Sequence, residues 1–256
     1  MVTLALAECC PPLPRLPLEA DLFGRLLHDH QQGHASAFFL RRDDNYLARE
    51  DSARFFRTWN ALPAHQRHLL SHAAGRVLDV GAGAGQYALA LQQRGIAVTA
   101  LERSAGAVSV CRQRGLRDVR LQGGLAPGFP AERFDTILFL DHALGLAGTP
   151  DGLRRQLRAL RARITPDGQM LAEFADYTAT RDPAQVRYQQ RNRAMGAYPG
   201  TLRVRLEYGG ERGPDFAWLT IALEDFRTLC AETGWHIRRC IQVDAEATYV
   251  LCLGPA

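Results

Sequence analysis

Residues 76–95 read RVLDVGAGAGQYALALQQRG. An aliphatic run, Arg76 to Val80, ends at Gly81, Gly83 and Gly85, and an apolar helical pattern then continues to Gly95. Strand, glycine loop and helix in this order are how an open α/β sheet presents backbone to a ligand at a strand's carboxyl end. The pattern repeats downstream. IAVTALE is a second strand, and Ser104 is placed to cap a helix that ends at Gly115. DVRLQ is a weak third strand and FDTILFL a strong fourth. Thr149-Pro150-Asp151 starts a helix whose Leu153, Leu157, Leu160 and Ile164 form one apolar stripe, and TPDG turns into a fifth strand, QMLAEFA. After a further helix, LEDFRTLCAETG, the strands WHIRRCIQV and ATYVLCL close the chain. Strand–helix–strand units imply right-handed crossovers, hence an α/β fold with a Rossmann-like, mostly parallel seven-stranded sheet and helices on both faces.

What precedes and interrupts this core reads differently. Residues 1–75 are expected to be an N-terminal extension and helical cap, ahead of a ligand-binding domain at 76–256. CCPPLPRLP should be extended, Leu18, Leu22, Leu26 and Leu27 fit a short helix to Gln32, and SARFFRTWNALPAHQRHLLSHA fits a helix pair broken near Pro63. Residues 175–221 are an insertion: an irregular polar stretch from Asp176 to Gly200, then a C-terminal hairpin around Gly209-Gly210.

Composition removes several functions. Of the 256 residues 46% are hydrophobic and 23% charged, as in ordinary folded domains. The chain has no lysine, and its 31 basic residues are arginines scattered among 27 acids rather than gathered in a stripe, which argues against nucleic acid as a partner. The six cysteines contain no C-x-x-C pair, so no metal site is expected, and His68 and His72 lack an acidic third ligand. Adjacent Cys9 and Cys10 are poorly disposed to bridge each other. MVTLALAECC lacks the positive start of a signal peptide, and no segment approaches the roughly 20 apolar residues of a membrane span. A cytoplasmic, soluble protein is the expectation.

Three ligands commonly meet such a glycine loop. A phosphate-binding G-x-x-x-x-G-K-[ST] loop is excluded by the absence of lysine. A dinucleotide loop, G-x-G-x-x-G, finds Gln86 or Ala88 where its third glycine belongs, which weakens the NAD reading without removing it. The third is S-adenosylmethionine (SAM). VLDVGAGAGQYALAL, Glu102 at the end of the next strand, and FDTILFLDHALGLAG together resemble the class I SAM-dependent methyltransferases, over residues 76–175 in order.

The resemblance implies an antiparallel last strand, SAM as cofactor (S-adenosylhomocysteine as product), and a set of roles. Gly81, Ala82, Gly83 and Gly85 would face the methionine end, with Asp79 beneath the loop orienting it or reaching the ammonium. Glu102 would accept from the ribose hydroxyls, flanked by Arg103, while Gly124 and Leu125 would lie along the adenine in place of the family's frequent acidic residue. Asp141 ends the fourth strand beside the cofactor, and His142 is the candidate general base where an acceptor must lose a proton, its alternative role being simple packing. The family's Asn/Asp-Pro-Pro-aromatic motif of nucleic-acid amino methylation is missing. With a short chain, no nucleic-acid module and a cap plus insertion able to enclose a pocket, a small-molecule acceptor is expected, bound by in-line displacement geometry among Tyr46, Tyr177, Arg187, Tyr188, Arg191 and Trp218. Methylation of a peptide or protein side chain, a SAM-binding protein without catalysis, and an NAD-linked reductase are the alternatives. Oligomeric state is left open.

Overall fold

The computed structural model describes residues 21–34, 37–123, 131–245 and 247–256. Its core is a seven-stranded sheet built from β3 (Arg76–Val80), β4 (Ala97–Glu102), β5 (Val119–Leu121), β6 (Phe134–Phe139), β7 (Ile164–Ala175), β11 (Trp235–Gln242) and β12 (Thr248–Pro255). Their order is β11-β12-β7-β6-β3-β4-β5. The five strands from β3 to β7 run parallel, and β12 enters antiparallel between β7 and β11. The chain moves outward from β3 through β4 to β5, then crosses back to start β6 on the other side. The switch point therefore lies between β3 and β6, where an open sheet forms its ligand crevice.

Alternation along the strands divides the core between two faces. Leu78, Val80, Ile137, Phe139, Met170 and Ala172 pack against helices α5 (Pro150–Arg161) and α7 (Leu223–Glu232). Val77, Val98, Ala100, Leu138 and Leu171 pack against α2 (Ala64–Leu70), α3 (Gln86–Gln92) and α4 (Ala105–Gln113). The expected caps are present: Ser104 Oγ accepts from Ala107 N at 2.9 Å and Thr149 Oγ1 from Gly152 N at 3.0 Å, with Pro150 at the first turn of α5. Trp235, fully buried, donates Nε1–H to Leu157 O at 3.0 Å, which joins β11 to α5 without an orphaned polar atom.

The remaining elements correct two expectations. The N-terminal segment is only partly helical: between α1 (Leu22–Gln31) and α2 it forms a hairpin, β1 (Ala37–Arg42) and β2 (Leu47–Asp51), then two 3₁₀ turns. The stretch after Asp176 contains a regular helix, α6 (Pro183–Ala194), capped by Asp182. Its hydrophobic pattern is faint because one side only rests on the protein, through Tyr188 and Asn192. β1 pairs with β8 (Thr201–Tyr208), which pairs in turn with β9 (Glu211–Arg212) across the expected Gly209-Gly210 turn and with β10 (Phe216–Leu219). The result is a second, antiparallel five-stranded sheet of order β10-β8-β1-β2 with β9 beside β8, assembled from both sides of the core domain. Cys9, Cys10, Leu18 and the proline-rich lead-in lie outside the described residues.

α1 holds this cover to the core. Asp21 caps α1 by accepting from Gly24 N, while its other oxygen accepts from Ser104 Oγ and Gly106 N, each at 2.8 Å. The helices cross at two glycines: a Cβ on Gly24 would lie 2.7 Å from Gly106 Cα. One buried carboxylate thus caps two helices and ties the N-terminal segment to the end of β4.

Candidate active site

A cavity of about 610 Å³ opens at the carboxyl ends of β3, β4 and β6 and is closed over by α1 and the five-stranded sheet. Gly81, Ala82, Gly83, Glu102, Arg103, Asp141 and His142 line it, so residues far apart in sequence meet at the switch point.

The glycine loop is held in shape by its own amides. Gly81 N and Ala82 N donate to Leu101 O, Gly83 N to Glu102 Oε2 at 2.9 Å, and Gly85 N to Ala82 O. All three glycines have positive φ, at 82°, 56° and 78° in order. Their contribution is therefore conformation and the absence of a Cβ, rather than spare donors. Gly85 does not line the cavity. It faces the core, where a Cβ would meet Cys111 Sγ at 3.1 Å, and it lets α3 and α4 pack closely.

Glu102 is buried and organises the turn into α4. Oε1 accepts from Arg103 N at 2.7 Å and Ser104 N at 2.9 Å, and Oε2 from Gly83 N. Three of a carboxylate's roughly four acceptor positions are thus used, leaving one on Oε2. Burial raises its pKa above the ordinary carboxyl range, opposed by those three amides. Beneath the loop Asp79 is fully enclosed. Burial, and then the charge of Glu102, push its pKa up to about 7, and its Oδ2 has no protein partner. A buried carboxylate with a free oxygen asks for a donor, and a cationic one best.

Beyond β6 the backbone is unusual. Asp141 and His142 adopt φ of 51° and 61°, which aims both side chains at the cavity before the 3₁₀ turn Ala143–Ala147. Asp141 Oδ1 accepts from Arg54 Nη2 at 2.6 Å, and Arg54 also reaches Glu50. Burial opposes the Arg54 charge, but the two carboxylates outweigh it and its pKa lies above the ordinary value. His142 Nε2 lies 4.0 Å from Glu173 Oε1, and its Nδ1 is buried with no partner. Glu173, near the end of β7 and itself buried, accepts from Gln66 Nε2 at 2.9 Å and has His65 Nε2 at 3.6 Å. Tyr87 adds a hydroxyl to the cavity wall that has no hydrogen-bond partner; burial and then the nearby Asp141, Glu173 and Asp79 raise its pKa.

Of the residues expected to receive an acceptor, Trp218 lines the cavity and the others do not. Tyr188 is buried in the insertion, its hydroxyl donating to Asp43 at 2.7 Å and accepting from Arg203 N, with Arg42 and Arg191 stacked on its ring. Tyr46 lies on the β1–β2 turn beside Arg42, Arg191 pairs with Asp43, Tyr177 packs edge-on to Tyr198, and Arg187 is exposed. Tyr188 and Arg191, through Asp43 and Arg42, bind the insertion to the β1–β2 hairpin. Gly124 and Leu125 fall outside the described residues. Missed altogether were Arg54 and Phe55 on the cavity wall, Glu173 behind His142, and the rings of Phe23, Phe38 and Phe216. The FF pairs at Phe38-Phe39 and Phe55-Phe56 were the available signal, though only strand pairing could have carried them to the site.

Comparison with known proteins agrees with this geometry. Residues 77–168 match the family model of the methyltransferase domain. Over 130 residues the chain is 33% identical to the uncharacterized methyltransferase YcgJ of Bacillus subtilis strain 168, covering 45% of this chain and 51% of that protein. The matched region thus spans about half the length of this curated relative. Almost the whole chain, 95%, superposes on 98% of a SAM-dependent methyltransferase from Bacteroides fragilis solved with S-adenosyl-L-homocysteine, with TM-score 0.82 and 28% identity. The CcbJ methyltransferase from Streptomyces caelestis shares the fold at TM-score 0.60 and 15% identity, over 78% of this chain and 93% of that one.

Proposed function

For a chain that belongs to the class I SAM-dependent methyltransferases, we propose that the activity is methyl transfer from SAM to a small organic acceptor enclosed between the two sheets. The observation that carries this is the cavity itself, which has the glycine loop and Glu102 at one end and the covering sheet over the other.

The residues suit the cofactor. The orphaned Asp79 Oδ2 matches an ammonium, the Cβ-free Gly81 and Gly83 leave room for the methionine chain, and the remaining acceptor position of Glu102 Oε2 matches a ribose hydroxyl. Arg103 lies beside them on the adenosine side. SAM supplies an activated methyl on a sulfonium, a good leaving group, so the chain need not activate the donor. What the protein does is align and exclude water. Arg54 fixes the Asp141 carboxylate at the end of β6, and α1 with the covering sheet lies over the cavity. His142, on the cavity wall with Nε2 4.0 Å from Glu173 Oε1, is the group that would accept a proton from an acceptor that carries one.

Calorimetric titration with SAM, S-adenosylhomocysteine and NADH tests the reading. Saturable binding of the first two, lost in Glu102→Ala, is expected. Binding of NADH alone would overturn it in favour of hydride chemistry.

A further inference from the structure

The methionine end of SAM carries a carboxylate as well as an ammonium, and the glycine loop has few donors to offer it. Gly81 N and Ala82 N are committed to Leu101 O, Gly83 N to Glu102 and Gly85 N to Ala82 O. Two arginines line the cavity. Arg103 sits over the Phe216 ring, 5.6 Å from its centroid and next to Glu102. Arg54 is engaged by Glu50 at Nη1 and by Asp141 at Nη2. Two carboxylates already share its single charge, so a third anion gains little there.

Another arginine stands immediately outside. Glu50 and Arg54 form a wall with the cavity on one side and an open groove on the other, and Arg57 lines that groove. Arg57 is half-buried, yet among the described residues it has no hydrogen-bond or ion-pair partner. A partly desolvated cation without a partner favours an incoming anion. The acids nearest to it along the groove are both occupied: Glu50 pairs with Arg54, and Asp51 accepts from Ala53 N at 2.8 Å as the cap of the turn Ser52–Phe55. Its charge also reaches the cavity. Burial and the carboxylates around Tyr87 raise that residue's pKa, and Arg57 is the cation that opposes them. The Tyr87 hydroxyl, on the same wall, has no partner.

The residues on either side fix where Arg57 stands. Phe56 stacks on His30 at 4.2 Å, with the Arg114 guanidinium 4.8 Å from its ring centroid. Two residues on from Arg57, Trp59 has Arg94 over its ring at 3.4 Å. A cation carried between two anchored rings is presented at a set place, which lowers the ordering cost of binding to it.

We propose that Arg57 is a binding site for a carboxylate, carried by a ligand that fills the cavity and reaches past the Glu50–Arg54 pair; this rests on the methyl-transfer reading above. The planar guanidinium can meet a carboxylate with two parallel N–H groups, a fit that an ammonium lacks. Two molecules bring such a group to a methyl-transfer cavity. One is the cofactor, whose methionine carboxylate the loop amides leave unserved. The other is an acceptor that is itself a carboxylic acid.

Calorimetry separates these sources. S-adenosylhomocysteine is compared with its decarboxylated analogue, which keeps the amine, and benzoate is titrated into protein already loaded with S-adenosylhomocysteine. If the cofactor's carboxylate uses the site, Arg57→Gln should weaken S-adenosylhomocysteine roughly tenfold and leave the analogue within about twofold. Arg57→Lys, which keeps the charge and loses the fork, should fall between. If an acceptor's carboxylate uses it, both nucleosides should bind Arg57→Gln as they bind the native protein, while saturable benzoate binding is lost. The melting temperature of Arg57→Gln should match the native value, because the side chain removed holds no partner. Equal weakening of both nucleosides would overturn the carboxylate site, as would a substitution that changes neither the nucleosides nor any benzoate binding. Failure of the native protein to bind either nucleoside would instead overturn the methyl-transfer reading beneath it.

Discussion

The seven-stranded sheet joins strands that mostly follow one another along the chain, whereas the five-stranded sheet joins β1 and β2 to β8, β9 and β10 from the far side of the core. The first positions its functional groups by chain order. Each parallel strand ends at the same edge, so Gly81, Glu102 and Asp141 arrive there without side chains having to choose. The second positions its groups by pairing, and its contribution to the site depends on register: Phe216 opposite Val204, Leu40 opposite Leu206. The glycine loop and Glu102 thus sit on a scaffold with repeated local rules, and the cover of the cavity on one assembled at long range.

If that division is right, substitutions in the two sheets should have separable effects. The largest is expected for Glu102→Ala, which removes the proposed ribose acceptor and also strands the amides of Gly83, Arg103 and Ser104; affinity for SAM should fall by roughly a hundredfold or more in calorimetry. Next comes Asp79. Because its carboxyl is held up to about 7, cofactor affinity should climb as pH rises toward that value, by up to about tenfold per unit, and level off above it. The stability of the ligand-free protein should run the opposite way. The native state keeps a proton that the unfolded chain releases, so this contribution is full below the ordinary carboxyl range and is lost as pH climbs to about 7. Asp79→Asn should flatten both profiles, and a melting temperature series that stays sloped would show that another group is responsible.

Smaller, and aimed at the join between the sheets, Asp21→Ala should cost about 2 kcal/mol in urea unfolding. It frees Gly24 N, Gly106 N and Ser104 Oγ at once. Hydrogen exchange should rise in α1 well before β3 or β6; a uniform rise would mean that the two sheets unfold as one. The smallest effect is expected for Tyr188→Phe, about 1 kcal/mol of stability from its bond to Asp43, with S-adenosylhomocysteine affinity unchanged. A lost affinity there would place the insertion's tyrosine–arginine cluster in the working site after all.

Much of the core was legible because its signals are local. Arg76–Val80 is aliphatic, its loop needs positive φ at three positions, and Ser104 and Thr149 carry the side-chain oxygens that helix starts require. The β1–β2 hairpin was not legible. Ala37–Arg42 and Leu47–Asp51 have mixed polarity, since both faces of an edge hairpin are only partly buried, and alternation that depends on a distant partner leaves little mark. Helix α6 was obscured for a similar reason, with most of its surface in solvent.

The sequence by itself determined the glycine loop, the acidic end of β4 and the order of strands that brings them together, because each follows from backbone conformation and burial within a few residues. Only the tertiary structure decided which aromatic groups face the cavity, that Glu173 stands behind His142, and that Trp218 is seated on Gly145. Those contacts join elements far apart in the chain, and packing between them is set by shape and register, which no local pattern of residues encodes.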